Sequence, residues 1–233
     1  MNEQIKVVAM DGPAASGKST VAQLVAEQLN YLFLDTGCMY RAATLAALNA
    51  GIDVLDETAV TQLAQQLKLD ILPAAHEKDG RHYTVLLNQK DVTWDIRSPE
   101  VDKNVSQVSS YLGVRQEMVQ RQREFGKRGN VIMVGRDIGT VVMPNAPLKL
   151  YITASAEERA RRRWHDRQEQ GHADTYETIL ADVERRDKID SNRQHSPLRP
   201  AEDAIIIDTT STAVTDIIQN IVHLIQNPVI NEP

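Results

Sequence analysis

Apolar positions recur along this chain in two alternating rhythms. Ile5, Val7, Val8 and Met10 form a short, largely apolar run, the pattern of a buried strand. Val21, Leu24, Val25 and Leu29 then return at helical spacing, with Glu27 and Gln28 between them. Tyr31-Leu32-Phe33-Leu34 reads as a second strand. A helix opened by Met39-Tyr40-Arg41 carries Leu45 and Leu48 and stops at Gly51, and another is expected over residues 57–67. Further on, a helix over about 114–127 is closed by Gly129, and Val131-Ile132-Met133-Val134 is a continuous apolar strand. Leu148, Leu150 and Ile152 mark the next strand. Ser155-Ala156-Glu157-Glu158 is a capping box for a helix stopped by Gly171. Asp174 and Glu177 read as cap and N3 of a helix striped by Tyr176, Ile179, Leu180 and Val183. A strand over 204–208 and a helix over 214–225 end the pattern.

One stretch breaks the alternation. Between residues 70 and 95 the chain carries short strand-like runs, Leu69, Ile71 and Leu72, then Tyr83, Val85 and Leu87. Turn-like Lys78-Asp79-Gly80 and Asn88-Gln89-Lys90-Asp91 separate them, so a small antiparallel insert is expected. Ser98-Pro99-Glu100 then starts a helix, with Ser98 as N-cap and Pro99 in the first turn. Strands alternating with helices predict an α/β fold, a central parallel sheet flanked by helices. In such sheets ligands lie beyond the carboxyl ends of the strands. That rule expects Gly12 to Ser19, Asp35 and Thr36, Arg136 and Asp137, and residues 208–210 to face one site.

Composition narrows the class. The 233 residues are long enough for one domain with a sizeable core, and 25% charged residues suit a globular chain rather than a disordered one. The net charge of −6 argues against a general nucleic-acid binder. Cys38 is the single cysteine, so no intramolecular disulfide forms and a reducing compartment is expected; it reads as a small helix-start residue. Met1-Asn2-Glu3-Gln4 lacks the features of a signal peptide, and no apolar run reaches about 18 residues. A cytoplasmic, non-membrane protein is expected. The six histidines, His76, His82, His165, His172, His195 and His223, show no metal-ligand spacing.

Gly12-Pro13-Ala14-Ala15-Ser16-Gly17-Lys18-Ser19 fits G-x-x-x-x-G-K-[ST] between a strand and a helix, the context a phosphate-binding loop requires. Glycines let backbone amides approach a polyphosphate, and the helix N-terminus adds its positive end. Lys18 can reach the β- and γ-phosphates, and Ser19 can place a hydroxyl on Mg²⁺. The loop identifies a triphosphate donor, not a reaction. Four polar sets are candidates for a second substrate. Arg41 beside Asp35-Thr36-Gly37 can grip a phosphate in bidentate fashion, or simply be solvated. Gly135-Arg136-Asp137 places two charges at the end of a buried strand, where they need partners or a ligand. Arg186, Asp190 and Arg193 share a helix face if the helix runs that far, as a site or as a surface ladder. The run Arg159, Arg161, Arg162, Arg163 is a solvated face or a lid that brings cations to a transferring phosphoryl group.

Together these residues resemble the bacterial-type cytidylate (CMP) kinases, a family of nucleoside monophosphate kinases. The resemblance rests on Asp11-Gly12-Pro13 with Gly17-Lys18, Asp35-Thr36-Gly37 with Tyr40-Arg41, and Gln107-Val108 with Arg115. It continues through Gly135-Arg136-Asp137-Ile138-Gly139-Thr140-Val141-Val142, Arg186-Asp187, Asp190 and Asn192-Arg193, and covers nearly the whole chain. Members often carry Gly or Ser after the loop lysine, where this chain has Ser19, and Ser-Gly after the second strand, where it has Thr36-Gly37.

The resemblance implies ATP-dependent phosphorylation of CMP and dCMP in pyrimidine nucleotide metabolism. It implies a single domain over 1–233: a core (about 1–67, 106–154 and 192–233), a monophosphate-binding insert (about 68–105) and a short helical lid (about 155–191). ATP would lie on Gly12 to Ser19 and Thr20, with Mg²⁺ at Ser19. Lys18, Arg41, Arg136 and Arg186 would be catalytic. CMP would meet Thr36, Tyr40, Arg41, Ser106, Arg115, Arg136, Asp137, Arg186, Asp190 and Arg193: Arg41 and Arg136 on its phosphate, Ser106, Arg115, Asp137 and Arg193 on its base, Arg186 and Asp190 on the sugar hydroxyls and nearby phosphates. A monomer is expected, and no single lid arginine is assigned. A UMP or AMP kinase is the alternative enzyme. A non-catalytic regulator is a further one, although no Asn-Lys-x-Asp guanine signature occurs.

Overall fold

The computed structural model describes residues 5–73, 79–169 and 171–227. In chain order its elements are β1 (Val7–Asp11), α1 (Lys18–Leu29), β2 (Leu32–Asp35), α2 (Gly37–Asn49), α3 (Glu57–Gln66), β3 (Leu69–Pro73), β4 (Tyr83–Leu87), β5 (Lys90–Asp91), α4 (Pro99–Val108), α5 (Leu112–Lys127), β6 (Val131–Gly135), β7 (Leu148–Thr153), α6 (Ala156–Glu169), α7 (Tyr176–Asn192), β8 (Ile205–Asp208) and α8 (Val214–Gln226). A 3₁₀ turn, Asp95–Arg97, precedes α4, and a π-helical turn, Ile138–Val142, follows β6. The expected positions Met1 to Gln4, His76 and Lys78 lie outside the described residues. Among the described residues no helix is long and apolar enough to cross a membrane.

The chain divides into two compact units. The first comprises residues up to Tyr31 and from Gly129 onward. Its sheet is parallel, in the order β6-β1-β7-β8. Register sets Asp11 opposite Gly135 on one side and Tyr151 on the other, so β1 and β6 end level and β7 runs two residues further, to Thr153. Val8, Ala9, Met10, Ile132 and Met133 are fully buried, as continuous apolar runs covered on both faces must be. α1 contributes Val21, Ala22 and Val25 to this core, and α8 contributes Ile217, Ile221 and Ile225 on one stripe. At β8 only Ile207 is buried; Ile206 is 61% exposed. α6 and α7 pack through Ala160, Ile179 and Val183, with Trp164 and Tyr176 beside them.

The second unit runs from Leu32 to Arg128. Here α2 buries most of its length, because Ala42, Ala43, Ala46 and Ala47 let neighbours approach closely. The expected insert is a three-stranded antiparallel sheet, β3-β4-β5, with Leu69 opposite Leu87 and Leu86 opposite Asp91. Its last turn is tighter than expected. Asn88 and Gln89 both take positive φ, which closes a two-residue hairpin and frees Lys90 and Asp91 to pair as β5.

Two helix-end expectations are not met. Thr175, not Asp174, caps α7, its Oγ1 accepting from Thr178 N at 3.3 Å. Asp174 accepts from Arg167 Nε at 2.5 Å instead, a charged donor outcompeting a backbone amide. Ser98 stands at the N-cap of α4 with Pro99 in its first turn, as expected, although its side chain makes no capping bond. α7 ends at Asn192, and Arg193 turns extended (ψ 138°), so Arg193 leaves the face that Arg186 and Asp190 share. The Ser155 cap is observed, its Oγ accepting from Glu158 N at 3.1 Å.

Candidate active site

In the first unit the loop after β1 is shaped by steric necessity. Gly12 has φ 152°, and a Cβ there would lie 2.0 Å from the carbonyl oxygen of Ile152 in β7. The backbone can therefore run against the sheet only without a side chain. Gly17, at φ 81°, is the N-cap of α1 and turns the chain into the helix. Lys18 is buried, and its Nζ donates to the Pro13 carbonyl at 2.7 Å, folding the side chain back over the loop. The Ser16 hydroxyl is fully buried without a hydrogen-bond partner among the described residues, an orphaned polar atom inside the loop. Ser19 is half-buried and Thr20 exposed on the first turn of α1. A buried cation and an unused hydroxyl beside the amides of a helix N-terminus suit a polyphosphate. Among the described residues no group of three or more His, Cys, Asp or Glu side chains could hold a metal alone.

The neighbouring strand ends of this unit carry charges that are all engaged. Asp11, at the end of β1, is 4% exposed, and its two carboxylate oxygens accept from the amides of Ile138 and Gly139, each at 2.7 Å. Burial pushes its carboxyl up to about 6; the two amides and the Lys18 charge oppose this, and the Asp137 charge adds to it. After β6, Arg136 donates through Nε to Asp190 at 2.9 Å. Asp137 is buried, and its carbonyl accepts from Val141 and Val142 in the π-helical turn. After β8, Thr209 Oγ1 donates to the Ser16 carbonyl at 3.1 Å, and Asp208 accepts from the amide and hydroxyl of Thr210.

α6 and α7 bring their own cations to this unit. Arg159 is 4% exposed: it binds Asp187 through both terminal nitrogens, at 3.0 and 2.5 Å, and also donates to the Ala154 and Ala14 carbonyls. Arg162 donates through its two terminal nitrogens to Thr209 Oγ1 at 3.0 Å and to the Thr209 carbonyl at 2.6 Å. Arg186 and Asp190 lie on α7, and Arg193 donates to the Ser196 carbonyl at 2.9 Å.

In the second unit Thr36 is buried at the N-cap of α2, beside Asp35, which accepts from the Gly37 amide at 3.0 Å. Tyr40 and Arg115 come together, the guanidinium 5.4 Å from the ring centroid, and Arg115 also donates to the Ser109 carbonyl. Arg41 donates to the Ile96 carbonyl at 3.0 Å and to Asp102 at 2.6 Å. Ser106 is half-buried on α4, its carbonyl accepting from Ser109 Oγ.

Of the predicted residues, the structure thus joins Arg136 with Asp190 and Tyr40 with Arg115. Thr209 meets the loop as the strand-end rule expects, but sequence reasoning gave Asp11 no role and missed the Arg159–Asp187 pair. Asp11 had a signal, an acidic residue closing an apolar strand. The partner of Arg159 lies 28 positions away, and no local spacing reveals it.

A family model described as cytidylate kinase matches residues 8–227. The cytidylate kinase of Bacillus velezensis is 46% identical over 219 residues, covering 94% of this chain and 96% of that protein. That of Chloroflexus aggregans is 52% identical over 202 residues, covering 87% of this chain and 86% of that protein. Among solved structures, an uncharacterized protein from Eubacterium ventriosum superposes with a TM-score of 0.51 at 13% identity, covering 94% of this chain and 98% of that one. At that identity the likeness speaks for the fold alone.

Proposed function

The chain belongs to the cytidylate kinase family, and on that premise we propose that it transfers the γ-phosphoryl group of ATP to CMP and dCMP, releasing ADP with CDP or dCDP. It is a phosphotransferase with a phosphate group as acceptor, and ATP is its co-substrate. The observation that carries the reading is the match over residues 8–227 together with the loop built around Gly12, Ser16 and Lys18.

In this reading Gly12 to Thr20 hold the donor phosphates. Ser19 would hold Mg²⁺, which when bound supplies charge neutralisation on the phosphoryl oxygens. Lys18 gives up the Pro13 carbonyl and reaches the β- and γ-phosphates. Arg41 and Arg136 are read as the residues that hold the acceptor phosphate. That acceptor is already an anion near neutral pH, so one of its oxygens attacks the γ-phosphorus while the bond to the β-phosphate oxygen breaks, and no general base is required. Catalysis is then positioning plus electrostatics. Thr36, Tyr40, Ser106 and Arg115 are read as further CMP contacts, as are Asp137, Arg186, Asp190 and Arg193. Cytosine presents an amino donor that the Asp137 carboxylate can accept, where uracil presents a carbonyl that it would repel.

The domain plan of this reading is a core, an insert over about 68–105 and a lid over about 155–191. Closure of the lid would keep water from the γ-phosphate. The enzyme would act as a monomer in the cytoplasm, where nucleotides are made, with no nucleic-acid or membrane partner. Steady-state ADP formation with CMP, dCMP, UMP and AMP tests the reading. CMP and dCMP should give the highest kcat/KM, and a preference for AMP or UMP would overturn it.

A further inference from the structure

We infer that Asp11 is a positioning residue for acceptor recognition: its ionised carboxylate clamps the π-helical turn that presents Asp137. The inference deepens the proposed function and rests on the reading of Asp137 as a base contact. Asp11 is the last residue of β1, and the next residue opens the phosphate loop. One carboxylate oxygen takes the amide of Ile138 and the other takes that of Gly139, both at 2.7 Å. These two amides directly follow Asp137. Inside the turn the bonds run the other way, from Val141 and Val142 to the Asp137 carbonyl and from Met143 to that of Ile138. The first amides of a helical turn have no partner within it and need an outside acceptor. Asp11 supplies one for each of the first two, so one side chain fixes both the start of the donor loop and the turn behind Asp137.

Close packing points the same way. A Cβ on Gly139 would lie 3.4 Å from Asp11 Oδ2 and 3.2 Å from Lys149 Cδ, so the chain is drawn tightly onto the carboxylate. Only a carboxylate offers two parallel acceptors there. Asparagine would turn a donor toward one N–H, and so would a protonated aspartic acid. The charged and titratable groups facing Asp11 are Lys18 on α1, Asp137 at the head of the turn and Tyr151 on β7. Lys149, also on β7, runs its alkyl chain past Gly139 and places its Nζ on Asp203. With burial holding the Asp11 carboxyl at about 6, the clamp should lose one of its two bonds as pH falls through that value.

The test is steady-state kinetics on wild type and Asp11→Asn, varying CMP and ATP separately from about pH 5 to pH 8. Asp11→Asn should raise KM for CMP about tenfold at neutral pH, the cost of one lost charge-assisted hydrogen bond, and leave KM for ATP nearly unchanged. Wild-type KM for CMP should climb below about pH 6, whereas the variant should show only the part due to the second ionisation of CMP itself, also near 6. Gly139→Ala, which keeps the carboxylate but displaces the turn, should reproduce the CMP effect. Parallel pH profiles of wild type and Asp11→Asn would overturn the inference, and so would equal rises in both KM values. An unchanged KM for CMP in folded Gly139→Ala would do the same. Asp137→Ala separates this inference from the reading beneath it. If it leaves CMP-over-UMP selectivity intact, the base-contact reading fails; if it abolishes selectivity while Asp11→Asn behaves as wild type, only the clamp fails.

Discussion

Arg136 Nε lies 2.9 Å from Oδ2 of Asp190, joining the end of β6 to the last turns of α7. Burial alone would push the Asp190 carboxyl up. The charge and hydrogen bond of Arg136, with Arg193 and Arg186 nearby, outweigh burial and leave it below the ordinary carboxylate range. Two residues read as acceptor contacts are therefore held against each other before any substrate arrives, and the cation is aimed rather than free to wander.

Asp190→Ala should lower stability by ~1–3 kcal/mol at neutral pH, because it leaves a largely buried guanidinium without its anion. The sign with pH follows from the depressed carboxyl. Its contribution is complete above the ordinary carboxylate value of about 4 and disappears as pH falls through the lower native value. Urea unfolding of wild type and variant should differ at pH 7 and converge in acid. A constant gap would mean that the pair is not what stabilises.

Arg41 makes a different kind of pair. Its partner Asp102 is exposed, and the Ile96 carbonyl holds the other terminal nitrogen at 3.0 Å. Asp102→Ala should therefore change stability by less than ~1 kcal/mol. Arg41 keeps its anchor to Ile96 and loses a competing carboxylate, so KM for CMP should fall by about twofold to fivefold, an effect that added salt shrinks. A rise in KM for CMP would show instead that Asp102 is needed to aim Arg41.

These contrasts show how far the sequence could be read. The buried strands and amphipathic helices were legible because burial imposes period 2 or 3.6 on apolar residues, and the 70–95 insert was legible because it broke that alternation. The phosphate loop was legible because its amides, glycines and lysine are contiguous. What stayed hidden was every feature made by residues distant in the chain. Arg159 read as one of a run of arginines, a solvated face or a lid, with nothing to single it out, yet it is the buried one, since Asp187 and two carbonyls reach it. Arg193 looked like part of a helix face because spacing cannot say where a helix stops. The π-helical turn after Asp137 carries no period at all; its amides are answered by Asp11, 127 and 128 positions earlier.

Arg159→Ala should cost ~2–4 kcal/mol in urea unfolding, since it strips a bidentate partner from Asp187 and donors from the Ala14 and Ala154 carbonyls. Arg159→Lys should recover little of this, because an ammonium cannot reproduce the planar fork. Arg161, mostly exposed and paired only with Glu158 among the described residues, is the internal control. Its alanine variant should lie within ~0.5 kcal/mol of wild type. Equal losses at the two positions would contradict the burial that separates them.

Gly12→Ala should be the most damaging single methyl in the loop. Two independent constraints meet there: φ of 152°, which L-residues rarely adopt, and an Ile152 carbonyl oxygen 2.0 Å from where the Cβ would sit. Neither can relax cheaply. Ile152 is fully buried in β7 and paired with Ile207 of β8, so its backbone cannot retreat without disturbing the sheet. The alternative is for the loop to lift, which would carry Ser16 away from Thr209 and undo the 3.1 Å bond that ties the loop to the end of β8. Either route should cost more than ~3 kcal/mol, and the second would also displace the amides meant for the donor phosphates. Urea unfolding should reveal the loss of stability, and isothermal titration with ATP on whatever fraction remains folded should reveal weaker donor binding. A folded variant with wild-type ATP affinity would show that the loop can accept a side chain that the geometry forbids.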